Sequence, residues 1–374
     1  MGESKESLQT LERAQRRVDR AVAELRRRMP VIVRGPDGDW LARAAELLDD
    51  RGIERFAEWV GETPKLALTE HRAAILHVRP TGDRAILLPL RRWMDAGMLR
   101  QLADPAFDLA SPGRGPLDRV MAPAPAAVHG AIKLCKLGRL LPAALVAPIP
   151  GDPATLAAKE DLLTVDVRDI EGYEDTTAAL LEPVARAHVP LADIENCRIQ
   201  AFRPTDGGIE HLALLIGDPK PHEPVLVRLH SECFTGDLLG SLKCDCGEQL
   251  RGAIRIIQAD PKGGILLYLA QEGRGIGLVN KLRAYRLQEQ GFDTVDANER
   301  LGFDADERLF RPAAEMLKRL GFTAIRLLTN NPEKIEGLAR HGITVTDRVA
   351  HAFPANSHNE DYLATKRKRS GHYL

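Results

Sequence analysis

The sequence predicts a mixed α/β protein of two domains, each a mixed β-sheet flanked by helices. Three observations carry that expectation. A chain of 374 residues is longer than one compact core sustains. Helix-periodic and β-branched segments alternate along it, the pattern of sheets covered by helices. Its composition, 44% hydrophobic and 28% charged, is that of an ordinary globular protein. The formal net charge of −1 offers no field that would draw nucleic acid or a membrane surface.

The elements follow in order. The first 30 residues read as one helix, with Leu8, Leu11, Val18, Val22 and Leu25 at helical spacing. That helix is charged and lacks the apolar centre of a signal peptide, and no apolar run approaches the roughly 18 residues of a membrane span. The chain is therefore read as cytoplasmic. MPVIVRGPDGDW gives a short strand and a turn, and alternation continues through LARAAELLDDRG, LALTEH, RAAILHVRP and DRAILLPL. Residues 104–125 are loop-rich. AAVHGAIKLCKLGRLLPAALVAPIP then reads as helix, turn and strand, and ATLAAKEDLLTVDVRDI as a further αβ unit. The stretch 171–195 reads as a connector, which sets the expected domains at residues 1–175 and 176–374. The second opens with the strands CRIQAFRP, GIEHLALLIGD and PVLVRLHSE. Helical segments near 247–260, 277–291 and 312–321 follow, separated by the strands GGILLYL and AIRLLTN. The basic ATKRKRSGHYL reads as a solvated end.

The chemistry concentrates in HSECFTGDLLGSLKCDCG, where Cys233, Cys244 and Cys246 form a C-x10-C-x-C pattern. With five cysteines in all, a disulfide framework is not expected, and Cys135 and Cys197 read as small buried hydrophobes. Cys244 and Cys246 can reach one ion from an extended turn, and Cys233 is folded back on them by turns at Gly236, Asp237 and Gly240. Thiolates favour Zn²⁺ over Mg²⁺. Three ligands leave a fourth position for water, as catalytic zinc sites do, and such water ionises near pH 7. Two other readings stand beside it: a structural shell closed by His230, and an incidental buried cluster. QEGRGIGLVNKLRAY, after the strand GGILLYL, is a glycine-rich strand-to-helix turn carrying Arg274, and backbone N–H groups of such turns suit phosphates. It has neither P-loop nor dinucleotide-fold spacing. TNNPEK reads both as a polar strand-end loop ending in Lys334 and as a plain helix cap with Pro332 at the first helical position.

Taken together, HSECFTGDLLGSLKCDCGEQL, LLYLAQEGRGIGLVNKLRAY, DTVDANERLGF and RLLTNNPEKIEGL closely resemble the GTP cyclohydrolase II family. That family opens riboflavin biosynthesis. The resemblance runs from about Cys197 to His372. It implies one Zn²⁺ per chain on Cys233, Cys244 and Cys246, opening of the guanine ring with loss of formate, and release of pyrophosphate. It implies Arg308 as nucleophile on the α-phosphate, Asp306 as proton acceptor, and Tyr285 as an aid to the ring chemistry. Nucleotide contacts are implied at Arg228, Leu229, His230, Ser231 and Glu232, at Gln249, at Glu272, Gly273 and Arg274, and at Thr294, Thr329 and Lys334. Mg²⁺ accompanying the phosphates and a homodimer are further implications. On residues alone, Asp306 and Arg308 read more readily as a surface acid–base couple near a helix start, and it is the resemblance that reverses this.

The first half resembles the 3,4-dihydroxy-2-butanone 4-phosphate synthase domain often fused ahead of this cyclohydrolase. RRVDRAVAELRRRMPVIV, FDLASPGRGPL, AAVHGAIKLCKLGRLLPAALVAPI and AAKEDLLTVDVRDIEGY carry the likeness. The chemistry is missing. RGPDGDWLARA stands where that family has an acidic loop, Pro112-Gly113-Arg114 where it has Pro-Gly-His, and APAPAAV where it has His-Thr-Glu. A non-catalytic first domain is expected. Cyclohydrolase-like proteins with such a domain include members that open the ring of uridine monophosphate in uracil catabolism. Ala270 in place of a usual arginine, Arg251 in place of glutamate, and the HAFPANSHNEDYL segment favour that alternative. Retention of Arg228, Lys334, Asp306 and Arg308 favours GTP. A non-enzymatic nucleotide sensor is the remaining alternative.

Overall fold

The computed structural model describes residues 2–80, 82–109, 116–192, 194–205, 207–351 and 369. Pro112-Gly113-Arg114, the HAFPANSHNEDYL segment beyond His351, and the basic tail apart from Arg369 lie outside them. The chain divides into two compact units, Met1–Tyr173 with Val279–Asp306, and Glu174–Leu278 with Glu307–Leu374.

In the first stretch α1 (Gly2–Arg26) leads into the hairpin β1 (Val31–Gly35) and β2 (Gly38–Ala44). Then come α2 (Asp50–Val60), β3 (Lys65–Thr69), α3 (Glu70–Ile75), β4 (Ala85–Pro89) and α4 (Ala96–Ala103). After them lie α5 (Ala126–Leu137), β5 (Ala143–Pro148), α6 (Pro153–Glu160) and β6 (Leu163–Asp166). The six strands form one sheet in the order β4-β3-β5-β2-β1-β6, antiparallel except for β1–β6. Val31, Val33, Ala42, Ala44 and Val146 face a core shared with Val18, Leu25, Val128 and Leu134 from α1 and α5. Cys135 and Cys197 are both fully buried. Within LARAAELLDDRG, Leu41–Ala44 pair with β5 as strand, Ala45–Leu47 make a single 3-10 turn, and α-helix begins only at Asp50, where Asp49 Oδ1 accepts from Gly52 N–H at 2.7 Å.

The stretch read as a connector is instead ordered structure: helix α7 (Val167–Ala179) and strand β7 (Leu181–His188). Its signal is weak for a physical reason. β7 is an edge strand with seven of eight side chains exposed, so it lacks the alternation that marks a half-buried strand. The second unit continues with β8 (Cys197–Pro204), β9 (His211–Ile216), β10 (Val225–Ser231), α8 (Cys246–Ala259) and β11 (Gly264–Leu269). Helices α9 (Leu278–Glu289) and α10 (Thr294–Arg300) come next. The chain finishes its described course with α11 (Arg311–Arg319), β12 (Ala324–Leu328), α12 (Pro332–Arg340) and β13 (Thr344–Val349). The seven-stranded sheet runs β13-β12-β10-β11-β9-β8-β7. Its β13-β12-β10-β11 half is parallel, and its other pairs are antiparallel.

Parallel strands covered on both faces read as near-continuous apolar runs, and β10 is buried at its first six positions, Arg228 and His230 included. Val225, Val227 and Leu229 join Phe202, Leu267 and Met316 on one face. Leu226 joins Ala253 and Ile257 of α8 on the other. By the two-residue period of a strand, Arg228 and His230 share the face of Leu226. No described helix is long and apolar enough to cross a membrane.

Candidate active site

In an open sheet, ligands gather beyond the carboxyl ends of parallel strands. At the end of β10 the chain reaches Cys233 and makes a tight turn over Phe234–Leu238. Gly236 N–H donates to Cys233 Sγ at 3.3 Å. A Cβ on Gly236 would stand 2.8 Å from Cys244 Sγ and 3.0 Å from Cys233 Sγ, so a glycine is needed for the turn to close over the sulfurs. Cys246 opens α8, where the helix N-terminus favours negative charge.

The three sulfurs lie within 4.8 Å of one another, and Cys233 Sγ is 3.8 Å from Cys244 Sγ. Tetrahedral ligands at a Zn–S distance of about 2.3 Å stand about 3.8 Å apart, so the spacing fits zinc. Crowding pushes the Cys244 thiol up to about 11, first through the Cys233 sulfur, and raises Cys246 well above its ordinary value through Cys233 and Cys244. A dication at their centre would reverse that balance. Among the described residues this is the one such cluster of three or more histidine, cysteine or acidic donors. His230 is not among its members. Its Nε2–H instead donates to the Asp237 carboxylate at 3.0 Å, and its ring stacks on Tyr268 with centroids 5.6 Å apart.

Asp237 is a residue sequence reasoning read only as part of a turn. Its Oδ2 also accepts from Cys233 N–H at 3.0 Å and Tyr268 O–H at 3.0 Å, which locks the backbone of the first thiol. The signal was a carboxylate four residues after the first cysteine. Glu272 ties the next layer together: it is 3% exposed, Oε2 accepts from Phe234 N–H at 2.6 Å, and Oε1 accepts from Gly273 N–H at 2.9 Å. Gly273 and Arg274 both sit in the left-handed region, at φ 64° and 61°, a strained setting for the arginine. The N–H groups of Gly273, Gly275, Ile276 and Gly277 are all spent inside this turn. A Cβ at Gly275 would meet Glu307 O at 2.7 Å, and Glu307 N–H donates to Arg274 O at 3.1 Å. Gln271 Nε2 donates to Leu309 O at 2.9 Å. The turn therefore pins the backbone on both sides of Arg308.

The cations lie deeper. Arg228 is 5% exposed; its Nη1 donates to Leu328 O at 3.0 Å and its Nη2 to the Gln249 amide oxygen. Burial draws it down to about 10, with Asp245 and Cys246 opposing and Arg308 adding to the fall. Arg228 and Arg308 therefore feel each other's charge. Lys334 is 6% exposed and donates from Nζ to Leu229 O at 2.7 Å. TNNPEK is the helix cap the sequence allowed: Asn331 Oδ1 accepts from Glu333 N–H at 3.0 Å ahead of Pro332. Thr329, 1% exposed, takes Asn331 N–H on its hydroxyl at 3.0 Å. His351, which the sequence offered only as the first residue of the HAFPANSHNEDYL segment, is 2% exposed and donates from Nε2 to Gln249 O at 3.0 Å, while Asn330 binds its backbone N–H and C=O. Ala270 N–H donates to His211 Nδ1 at 3.0 Å.

The second unit thus holds together the three cysteines, residues 228–232, Gln249, Glu272–Arg274, Thr329, Lys334 and Arg308. Tyr285, Thr294 and Asp306 belong to the first unit. There Lys281 Nζ stands 5.6 Å from the centre of the Tyr285 ring, and Thr294 Oγ1 accepts from Gln288 Nε2 at 3.0 Å.

Comparison with known proteins bears on this arrangement. The family model for GTP cyclohydrolase II matches residues 182–350. A GTP cyclohydrolase-2 of Azospirillum brasilense is 53% identical over 373 residues, 96% of this chain and 94% of that one. A GTP cyclohydrolase-2 of Xylella fastidiosa is 39% identical, over 96% of this chain and 87% of that one. Among solved structures, a two-domain 3,4-dihydroxy-2-butanone 4-phosphate synthase from A. baumannii covers 90% of this chain and 99% of its own at 18% identity, with a TM-score of only 0.34. On the two full-length sequence matches, the chain belongs to the GTP cyclohydrolase II family.

Proposed function

We propose that the protein hydrolytically opens the base ring of GTP, releasing formate and pyrophosphate, as the first step of riboflavin biosynthesis. The observation that carries this is the three-thiol cluster beside buried Arg228 and Lys334, in a chain of this family. Zinc bound to Cys233, Cys244 and Cys246 would supply a Lewis acid and a water acidic enough to ionise near pH 7. The chain's own groups do the rest. Asp237 holds the Cys233 backbone, and Glu272 holds the Phe234 N–H. Arg228 and Lys334 meet phosphate oxygens with fixed positive charge, with Arg274 at the turn adding a third cation. Arg308 attacks the α-phosphate and breaks its bond to the leaving pyrophosphate; a guanidinium is protonated at ordinary pH, so Asp306, two residues before it, takes the proton, and water then cleaves the N–P bond to free Arg308. Tyr285 assists at the ring, and Leu229, His230, Ser231, Glu232, Gln249, Gly273, Thr294 and Thr329 contact the nucleotide, with Mg²⁺ on its phosphates.

Within the same proposal, residues 1–175 are a degenerate synthase-like domain without synthase activity, residues 176–374 are the cyclohydrolase domain, and the enzyme is a homodimer. Uridine monophosphate is the second reading, favoured by Ala270 where a cation is usual. One assay separates them: zinc-loaded protein is given each nucleotide while formate, pyrophosphate and base absorbance are followed. Formate and pyrophosphate from GTP are expected. Loss of uracil absorbance without pyrophosphate would overturn the assignment in favour of the pyrimidine, and binding of GTP without product would mark a sensor.

A further inference from the structure

We infer that Arg283 is a positioning residue that mounts α9, and with it Tyr285, on the first unit. The inference rests on the roles proposed above for Tyr285 and Asp306, which the segment 279–306 carries. Val279–Asp306 partitions with Met1–Tyr173, so these two residues are held within the first unit.

The attachment is specific. Arg283 Nη2 donates to Glu46 Oε1 at 2.9 Å, its Nε lies 3.2 Å from Asp104 Oδ2, and its Nη1 donates to Asn280 Oδ1 at 2.7 Å. The three charged side chains retain only 15–20% of their exposure. Glu46 Oε2 also takes Leu141 N–H at 2.8 Å, and Asn280 Nδ2 donates to Arg139 O at 3.0 Å. One end of the segment is thus tied to the approach to β5. Near the other end, Asp304 lies 3.1 Å from Lys136 Nζ and 3.5 Å from His71 Nε2, two residues before Asp306. Between them Val295, Ala297, Leu301 and Phe303 are buried to 5% exposure or less.

An apolar seam alone would tolerate sliding of a helix along its neighbour. A guanidinium fork between two carboxylates accepts one geometry, and withdrawing those charges from water is repaid only in that geometry. Residues two apart on a helix point about 200° from each other, so the Arg283 face is anchored while Tyr285 stays on the opposite side. The anchor sets the position of Tyr285 without occupying it.

The test uses full-length, zinc-loaded protein. In Arg283→Ala, kcat with GTP should fall about 10–100-fold with KM changed far less, because a displaced reacting group costs turnover rather than binding. Zinc content should not change, and amide hydrogen exchange across residues 280–290 should quicken. Arg283→Lys should recover part of kcat. If Arg283→Ala does not fold, Asp104→Asn removes one of the two carboxylates and gives the same readouts. Unchanged exchange in α9 overturns the anchor whether or not GTP is the substrate. Quickened exchange with undiminished kcat overturns the positioning role. Absence of GTP turnover in the unaltered protein would instead count against the proposed reaction, with the exchange arm still deciding the mount.

Discussion

The two sheets of this chain bury charge in opposite ways. Around the six-stranded sheet, Arg72 is 1% exposed and is answered by opposite charge: Asp108 takes both terminal nitrogens, at 2.6 and 2.7 Å, and Leu102 O takes Nε at 2.7 Å. Around the seven-stranded sheet, Arg228, His230, Asp245, Glu272, Lys334 and His351 are all 6% exposed or less. There Arg228 is held by a carbonyl and an amide oxygen, with a second guanidinium in its field. A buried cation closed by a carboxylate is committed to the fold, because removing either partner strands the other charge away from water. One held by neutral acceptors keeps its charge for a ligand, at a cost in stability. The difference sets the two sheets apart: charge answered by charge around the first, charge held by neutral acceptors around the second.

The sharpest way to break that division is to remove a thiol. Cys244→Ser should abolish stoichiometric zinc and lower turnover by several kcal/mol of barrier, on the order of a thousandfold. Metal analysis and product release measured together check it, and a fully active, zinc-free variant would show the cluster to be incidental. The matching experiment around the first sheet is Arg72→Ala. Leaving Asp108 without this partner should cost about 3–5 kcal/mol of stability, read as a lower denaturation midpoint, with zinc content untouched. Loss of zinc in that variant would dissolve the distinction between the units.

How much of this was legible beforehand depended on what each residue does locally. The thiols were legible because soft ligands in C-x10-C-x-C spacing have few other uses, and the strands β9 to β12 because they are largely apolar. Pro332 marked the start of α12 through its fixed backbone angle. Asp237, Asp245 and His351 were not legible as site residues. Their importance comes from what folds back onto them: three donors converge on Asp237 from two stretches of chain, residues 230–233 and Tyr268, and His351 reaches Gln249 across 102 positions. β7 and β13 escaped because edge strands with exposed faces carry little pattern. The partition of residues 279–306 with the first unit was invisible for the same kind of reason, since the Glu46–Arg283 contact spans 237 positions.

A smaller effect is expected from Asp237→Asn. The amide keeps the shape but offers one acceptor oxygen where Cys233 N–H, Tyr268 O–H and His230 Nε2–H now converge on a carboxylate. Groups that orient metal ligands are typically worth 10–100-fold in affinity. Chelator competition should show zinc held that much more weakly. Unaltered affinity would reduce Asp237 to a turn former.

The mildest contrast is in acid. His351 is drawn down to about 3, first by burial and then by Arg228, with the bond to Gln249 O opposing and Lys334 and His230 adding to the fall. His230 is lowered as well, chiefly by burial. A histidine whose pKa falls on folding stays neutral in the native protein while the unfolded chain takes up a proton below about 6.5. Its stabilising contribution is therefore complete above that pH and is lost as pH falls toward 3, at about 1.4 kcal/mol per pH unit. From pH 7 to 5 the loss from His351 comes to about 2 kcal/mol. Denaturant titrations of the parent protein and His351→Gln at both pH values isolate it, because the carboxylates common to the two proteins cancel. The variant should lose less stability on acidification by about that amount. Equal losses would mean that the second unit admits a proton at His351 without unfolding, and its buried cations would then not be the barrier that sets it apart from the first.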